Sequence, residues 1–503
     1  MAKKLLLLTN VDRGQANVFL AVADALLRTQ TQIEIHFATF SGLEAEVYSL
    51  WQHVSDKVPL AKPIYFHKIE GLTMEQGIKQ YISTTTLQVR DGYLLESHLA
   101  PLGFRNTMRA IRDTMPILVP YTGPQMEKIF SSIVNIITTI SPDLVLVDVL
   151  MTAGLTACYH LGVNFSCLSP NSIKEFSGPT QPKAVSLWKW PALFSGFEYP
   201  VPWYLIPLNI FFVLFTGYCF KTDRNIKSVQ AHLKTSVEAV LRTPVDLLFD
   251  RPAKLKVFVG SLPELDYPLV VPQHVIPCGP ILRNPRPVED DDPELAKWLA
   301  NGPTIYINLG SICRISEDKA CEIAQAIRTV LRTVPSAPVS SPLQVLWKLQ
   351  KLGSYKVREP GCRIFDILAD EFKLDLVRVY SWLTPQPYAL LRTGHITCSV
   401  HHGGANSYFE AVSSGIPQVV LPQWTDCYDY AQRVRHLGIG RIGNNTSKPQ
   451  WNAQELAREM LHVLVGRDAA DVRNRAIELS HVCQKNGNGS FMVAGYIGQE
   501  LSR

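Results

Sequence analysis

The chain has 503 residues, 46% of them hydrophobic and 18% charged. That balance excludes disordered, collagenous and coiled-coil chains, and at about 150 residues per domain it asks for two to three domains. Lys plus Arg number 49 against 44 Asp plus Glu, and a net charge of +5 over so large a surface excludes the concentrated basic field that nucleic-acid binding needs.

The opening MAKKLLLLTNVDRG places four leucines after Lys3 and Lys4. A secretory signal core needs about 7 to 15 apolar residues, so Leu5 to Leu8 are read as a buried first strand of a cytoplasmic protein. The Asn-x-Ser/Thr matches at Asn164, Asn444, Asn445 and Asn488 are then chance. Asp12 to Gly14 form a turn. Phe19, Val22, Ala23 and Leu26 recur at helical spacing, and Ile33, Ile35 and Phe37 alternate as a strand, which completes one βαβ unit. A further strand, Leu144 to Val147, ends at Asp148 before a small-residue helix around Ala153 to Cys158.

Residues 204–220, YLIPLNIFFVLFTGYCF, are almost uninterrupted apolar and are followed by Lys221, Arg224 and Lys227. A membrane span needs about 20 apolar residues, and Pro207 and Asn209 stand near the start of this run. It is expected to be a buried helix or the wall of an apolar pocket, with a helix lying in a bilayer surface and a true span as the alternatives. The stretch PILRNPRPVEDDDP, from Pro280 to Pro293, combines stiff prolines with an acidic run, so poor packing and a domain join are expected there. Residues 1–280 form the N-terminal domain on this reading, 281–300 the linker, 301–480 the C-terminal domain, and 481–503 a last helix that packs back on the first domain.

Strands follow at Thr304–Leu309, Val345–Lys348, Leu376–Tyr380, Ile396–Val400 and Gln418–Leu421, and PSAPVSSP (Pro335–Pro342) reads as a surface loop. Strands alternating with helices predict an α/β protein with two doubly wound parallel sheets. Ligands of such sheets bind beyond the carboxyl ends of the strands. No G-x-x-x-x-G-K-[ST] or G-x-S-x-G pattern is present, which disfavours a P-loop ATPase and a serine hydrolase. The G-x-G-x-x-G match from Gly438 to Gly443 follows a helical stretch and enters a polar loop, the wrong context for a dinucleotide fingerprint. The ten cysteines are scattered with no C-x-x-C pair, so no metal site is expected.

The most informative stretch is ITCSVHHGGANSYFEAVSSGIPQVVL, Ile396 to Leu421. A strand ends at His401 and His402, Gly403 and Gly404 turn the chain, and Asn406 and Ser407 open a helix that Gly415 terminates. Bare glycines at a helix N-terminus admit a phosphate to the backbone N–H groups, and Glu410 stands about two turns further on. The longer string HHGGANSYFEAVSSGIPQVVLPQWTDCYDYAQRVRHLGIGR resembles the donor-binding signature of UDP-dependent glycosyltransferases acting on small lipophilic acceptors, in particular their fungal members. The resemblance runs across nearly the full chain and is strongest from Trp382 to Arg441.

It implies the GT-B fold, two facing Rossmann-like domains around a cleft, and inverting transfer of a hexose, glucose first, from a UDP-sugar co-substrate to an oxygen of a hydrophobic small molecule, without a cofactor. Carried over by motif position, His402, Gly404, Asn406 and Ser407 hold the diphosphate, Gly310 and Ser311 form a second phosphate turn, and Glu410 binds the ribose. Trp382 and Gln386 take the uracil, with one residue more between them than the family's pattern has. Asp426 stands where the sugar hydroxyls are bonded, followed by Cys427 where relatives often have Gln or Asn, which leaves the sugar open.

In many relatives a Gly-His pair after the first strand supplies the base, and here it reads Gly14-Gln15. An amide does not titrate. Asp148 matches the family's partner carboxylate and is one candidate base, since burial raises a carboxyl pKa; His36 and His98 are others, and a phenol or carboxylate acceptor would need little help. The apolar run and the aromatic-rich Trp188–Trp203 would supply the acceptor wall or a peripheral grip on a membrane. Two other readings share the architecture, a silent nucleotide-sugar binder and a sugar-nucleotide epimerase.

Overall fold

The computed structural model describes residues 3–502 apart from 86, 88, 92–93 and 335–340, so most of the Pro335–Pro342 loop lies outside the described residues. The strands of the first half are β1 (Lys4–Leu8), β2 (Glu34–Thr39), β3 (Tyr65–Lys68), a short hairpin β4 (Val89–Asp91) and β5 (Leu94–Leu95), β6 (Leu144–Asp148), β7 (Phe165–Ser169), β8 (Val257–Val259) and β9 (Val275–Pro277). Apart from the hairpin they form one sheet in the order β3-β2-β1-β6-β7-β8-β9, parallel throughout. The second half holds β10 (Thr304–Asn308), β11 (Gln344–Lys348), β12 (Val377–Tyr380), β13 (Ile396–His401), β14 (Gln418–Val420) and β15 (Gly440–Ile442). They make a second parallel sheet ordered β12-β11-β10-β13-β14-β15.

Sheets covered by helices on both faces need strands that are apolar on both sides. The leucine run of β1 meets this directly: Leu6 and Leu8 enter the core on one face, and Leu5 and Leu7 the core on the other. In each sheet the direction of winding reverses once, at β1/β6 and at β10/β13, and such reversals open a crevice at the strand ends. Those two crevices position the site.

The halves are locked together at several places. The last helix, Gly489–Ser502, buries Val493, Ala494, Ile497 and Leu501 in the same core as Phe19, Val22 and Leu26 of the first helix, Arg13–Thr29. On the other side the helix Cys427–His436 is pinned to the N-terminal half by Arg433, whose Nε donates to Asp266 at 2.8 Å and whose Nη2 donates to Ser172 at 2.6 Å.

Two expectations are corrected here. The acidic stretch near Pro293 is well packed. Val288 is buried with Trp298 and Tyr306, and Asp292 accepts from the Leu295 amide at 3.0 Å, an N-cap followed by Pro at the first helical position. The apolar run is not enclosed either: it forms the helix Ile206–Thr222, of which only Asn209, Phe212 and Cys219 are buried. Asn209 anchors it, donating to Leu187 and Trp190 carbonyls and accepting from the Ala192 amide at 2.8 Å. Its outward stripe carries Phe211, Leu214 and Tyr218, continuing the exposed Trp203 and Tyr204.

Candidate active site

Between the two crevices lies a cleft of about 520 Å³, walled by Arg13, Gly14 and Gln15 on one side and by residues at the carboxyl ends of the second sheet on the other. Its floor on that side is the turn after β13. Gly403 has φ +92°, and a Cβ there would lie 2.8 Å from the Cys427 carbonyl oxygen, so a side chain is excluded by conformation and by space. His401 fixes this turn. Its Nδ1 accepts from the Gly403 amide at 3.1 Å and its Nε2 pairs with Gln418 Oε1 at 2.8 Å, which makes the ring neutral and puts its proton on Nε2. Burial agrees, holding its pKa down at about 4.

The helix Ala405–Ser413 then starts at Gly404 with no side-chain cap, and its first amides, without intrahelical partners, face the cleft. His402 stands beside them, wedged between two glycines: a Cβ on Gly404 would sit 2.4 Å from its Nε2, and one on Gly310 2.7 Å from its Cε1. Burial, His401 and the Lys348 cation bring its pKa to about 3, so the ring is neutral and carries one N–H. Its Nδ1 is buried and unpartnered. Ser311, Asn406 and Ser407 line the same wall, and Asn406 Nδ2 reaches the carbonyls of Arg13 and Gly14 at 3.5 and 3.4 Å, where the two halves meet.

Further along the cleft Trp382 is 57% exposed, a flat aromatic face held out of the core. Lys348, at the end of β11, places Nζ 4.0 Å from the centre of that ring and 3.4 Å from the Gly310 carbonyl. Burial lowers its ammonium pKa to about 8. Gln386 and Glu410 complete this end, and burial pushes the Glu410 carboxyl up to about 8. Asp426 also lines the cleft. It precedes the helix Cys427–His436 but makes no capping bond; its Oδ1 accepts from Thr425 Oγ1 at 2.9 Å.

Four expected residues do not reach the cleft. Cys427 is buried and lies behind the turn, its carbonyl facing Gly403. His36 is tied within its sheet, Nε2 to Glu34 and Nδ1 to His67, each at 2.9 Å. Asp148 is fully enclosed: its Oδ1 accepts from the Leu150 amide at 2.9 Å and its Oδ2 from Asn10 Nδ2 at 3.0 Å. Burial raises its pKa to about 6, but a carboxylate so enclosed does not meet an acceptor. The alternative His98 bonds Thr114 at 2.8 Å and stacks on Phe194, and burial lowers it to about 4. Gln15 does line the cleft, with Oε1 buried and unpartnered.

The sequence reading missed Lys348. A lysine at the carboxyl end of a buried strand is the signal, since it is the one place in such a strand where a charge meets a ligand crevice.

Residues 375–480 match the family model of the erythromycin biosynthesis protein CIII-like C-terminal domain. Over 505 aligned residues the chain is 32% identical to the glycosyltransferase sdnJ of Sordaria araneosa, covering 96% of this chain and 95% of that one. It is 28% identical to UDP-glycosyltransferase 84B2 of Arabidopsis thaliana, over 45% of this chain and 52% of the relative. Among solved structures, a Polygonum tinctorium UDP-glucosyltransferase capable of glucosylating indoxyl, in complex with 3,4-dichloroaniline, superposes with a TM-score of 0.62 at 14% identity, covering 100% of this chain and 99% of that one.

Proposed function

The chain belongs to the UDP-glycosyltransferase family, and from that premise we propose that it is an inverting hexosyltransferase that moves glucose from UDP-glucose to an oxygen of a hydrophobic small molecule. The observation that carries this reading is the uncapped helix start at Gly404, flanked by a neutral imidazole with a buried, unpartnered nitrogen, at the crevice of the second sheet. Fixed amides and dipoles at that point stabilise charge developing on a departing diphosphate without reorganisation. In this assignment His402, Asn406, Ser407 and Ser311 hold the diphosphate, Trp382 and Gln386 the uracil, Glu410 the ribose and Asp426 the hexose hydroxyls. The nucleotide sugar is a co-substrate and the chemistry asks for no cofactor. A screen of UDP-sugars against phenols, sterols and polyketides, read by mass spectrometry, tests it; release of UDP with a glucosylated product is expected, and no product from any pair refutes the reading.

Lys348 adds a charge to the diphosphate site. A cation held to about 8 binds an anion in its protonated form, so UDP affinity is expected to fall as pH rises through about 8. Lys348→Met keeps Glu410, which titrates in the same interval. It should bind UDP roughly ten- to a hundredfold more weakly at pH 7, the worth of a charge-assisted bond, and should show a shallower decline above pH 8, the part that ionisation of Glu410 alone contributes. Calorimetry from pH 6 to 9.5 checks this, and equal affinity of the two proteins at pH 7 contradicts it.

The exposed stripe of Trp203, Tyr204, Phe211, Leu214 and Tyr218, next to the exposed Lys221, Arg224 and Lys227, supports a peripheral grip of this cytoplasmic enzyme on an anionic bilayer, where a lipophilic acceptor collects. Sedimentation with phosphatidylserine vesicles is expected to carry the protein down. A Trp203→Ser/Phe211→Ser/Leu214→Ser variant should stay in solution with unchanged UDP affinity. Wild type that remains in the supernatant contradicts the grip.

A further inference from the structure

With Gln15 at the cleft and Asp148 enclosed, the reaction lacks an evident proton acceptor. We propose that the acceptor is a hydrophobic carboxylic acid, held as its carboxylate by Arg13, and that the product is a sugar ester. The proposal rests on the transferase reading above and names the acceptor class for that same site.

Among the described residues that the first half contributes to the cleft, Glu46 is the one carboxylate and no histidine is present. Glu46 is held between two guanidiniums, its Oε2 on Arg13 Nη1 and its Oε1 on Arg283 Nη1. Burial alone would raise its pKa, but the two cations bring it below the ordinary value, which makes it a poor base. The other polar side chains of this wall, Gln15, Asn17 and Asn171, are amides and do not titrate. Gln15 keeps its Oε1 buried and so leaves its N–H groups to the cleft. Glu410 and Asp426 stand on the opposite wall, assigned to the ribose and the hexose. Such a wall takes no proton from an alcohol, but it suits an acceptor that has already lost one.

The balance of charge points the same way. Two arginines share one carboxylate, so the wall carries one cation more than its own anion matches. Arg13 is the more open of the pair, its side chain 46% exposed against 20% for Arg283. With Nη1 on Glu46, its Nε and Nη2 remain for a planar carboxylate, which a guanidinium meets with two parallel bonds. The position fits as well. Asn406 of the diphosphate turn reaches the Arg13 carbonyl at 3.5 Å, so this residue borders the end of the donor from which the hexose is taken. Gly14 beside it has nothing within 4 Å of where a Cβ would stand, which leaves room for a ligand. Pro170, Ile281 and Leu282 give the same wall an apolar surface for the body of the acid, while Lys348, His402 and the helix amides meet the diphosphate from the other side.

In the step itself a lone pair of the carboxylate oxygen forms the new bond to the anomeric carbon, and the bond from that carbon to the diphosphate breaks, its electron pair leaving with UDP. No proton moves.

The test uses three acceptors with one body, 4-tert-butylbenzoic acid, 4-tert-butylphenol and 4-tert-butylbenzyl alcohol, at pH 7 with the UDP-sugar that the screen selects. Wild type is expected to favour the acid over the alcohol by roughly 10²-fold or more in kcat/KM, the least that a positioned base would have contributed, and to release an ester that mild alkali cleaves. Arg13→Gln should lower the preference for the acid over the phenol roughly ten- to a hundredfold, the worth of a charge-assisted bond, while UDP affinity by calorimetry stays within about twofold. Arg13→Lys should keep part of the preference. A phenol or alcohol used as well as the acid, or a loss of UDP affinity in Arg13→Gln as large as the loss on the acid, overturns the proposal and leaves the transferase reading intact. A wild type that binds UDP yet glycosylates none of the three, nor any acceptor of the screen, overturns both.

Discussion

Gly404→Ala is expected to cut transfer by about 10²- to 10³-fold, the usual cost of losing one preorganised donor to a developing anion. The backbone at this position, φ −69° and ψ 149°, suits alanine, so no strain of the main chain is involved. The new methyl would lie 2.4 Å from His402 Nε2, closer than any real contact. On its other side the ring faces Gly310, where even a Cβ would come within 2.7 Å of its Cε1. It must swing away from the helix start, and the diphosphate loses that ring and the close approach to the amides together. Steady-state kinetics with UDP-glucose and calorimetry with UDP check this; a variant with wild-type turnover would show that the ring and the amides do not share one anion.

Arg433→Met is expected to destabilise the protein by about 3–5 kcal/mol, because it strands a charge rather than deleting a pair. Arg433 and Asp266 are both fully enclosed, and the guanidinium lies between the Tyr267 and Tyr430 rings, 4.8 Å from each centre. Without it Asp266 keeps only backbone donors, from Lys174 and Tyr267. The midpoint of thermal unfolding should drop by roughly 3–5 °C for a chain of this length, and Arg433→Met/Asp266→Asn should recover most of the loss. Urea titration of the three proteins measures it. A single variant within 1 kcal/mol of wild type, which is about the worth of an exposed pair, would contradict the role given to this lock. Because the same helix begins at Asp426, loosening it should also raise the KM for the nucleotide sugar.

The wall of the cleft at the second sheet was legible because its parts are local in sequence. One strand, one two-glycine turn and one helix carry His402 to Glu410, and the apolar runs of β10, β11 and β13 mark their strands closely because both faces are buried. The neighbouring half was less legible for the opposite reason. Asn10 and Asp148 are brought together only by the pairing of β1 with β6, and Arg13, Glu46 and Arg283 meet only in the fold. The run from Tyr204 to Phe220 misled because a helix apolar on every side has no stripe to say which face is covered. Near Pro293 the acidic run pointed to poor packing, although Asp292 followed by Pro is also a helix start. Cys427 and His36 were legible as residue types, but a one-dimensional pattern does not tell the wall of a cleft from the layer behind it.

The central claim is that the helix start at Gly404–Ser407, with His402, receives a diphosphate. Titration calorimetry of UDP and of uridine into wild type and Gly404→Ala tests it most directly. One UDP per chain, uridine bound far more weakly, and a loss of the UDP preference in Gly404→Ala are the results expected. No uptake of UDP by wild type, or equal binding of UDP and uridine, would contradict it.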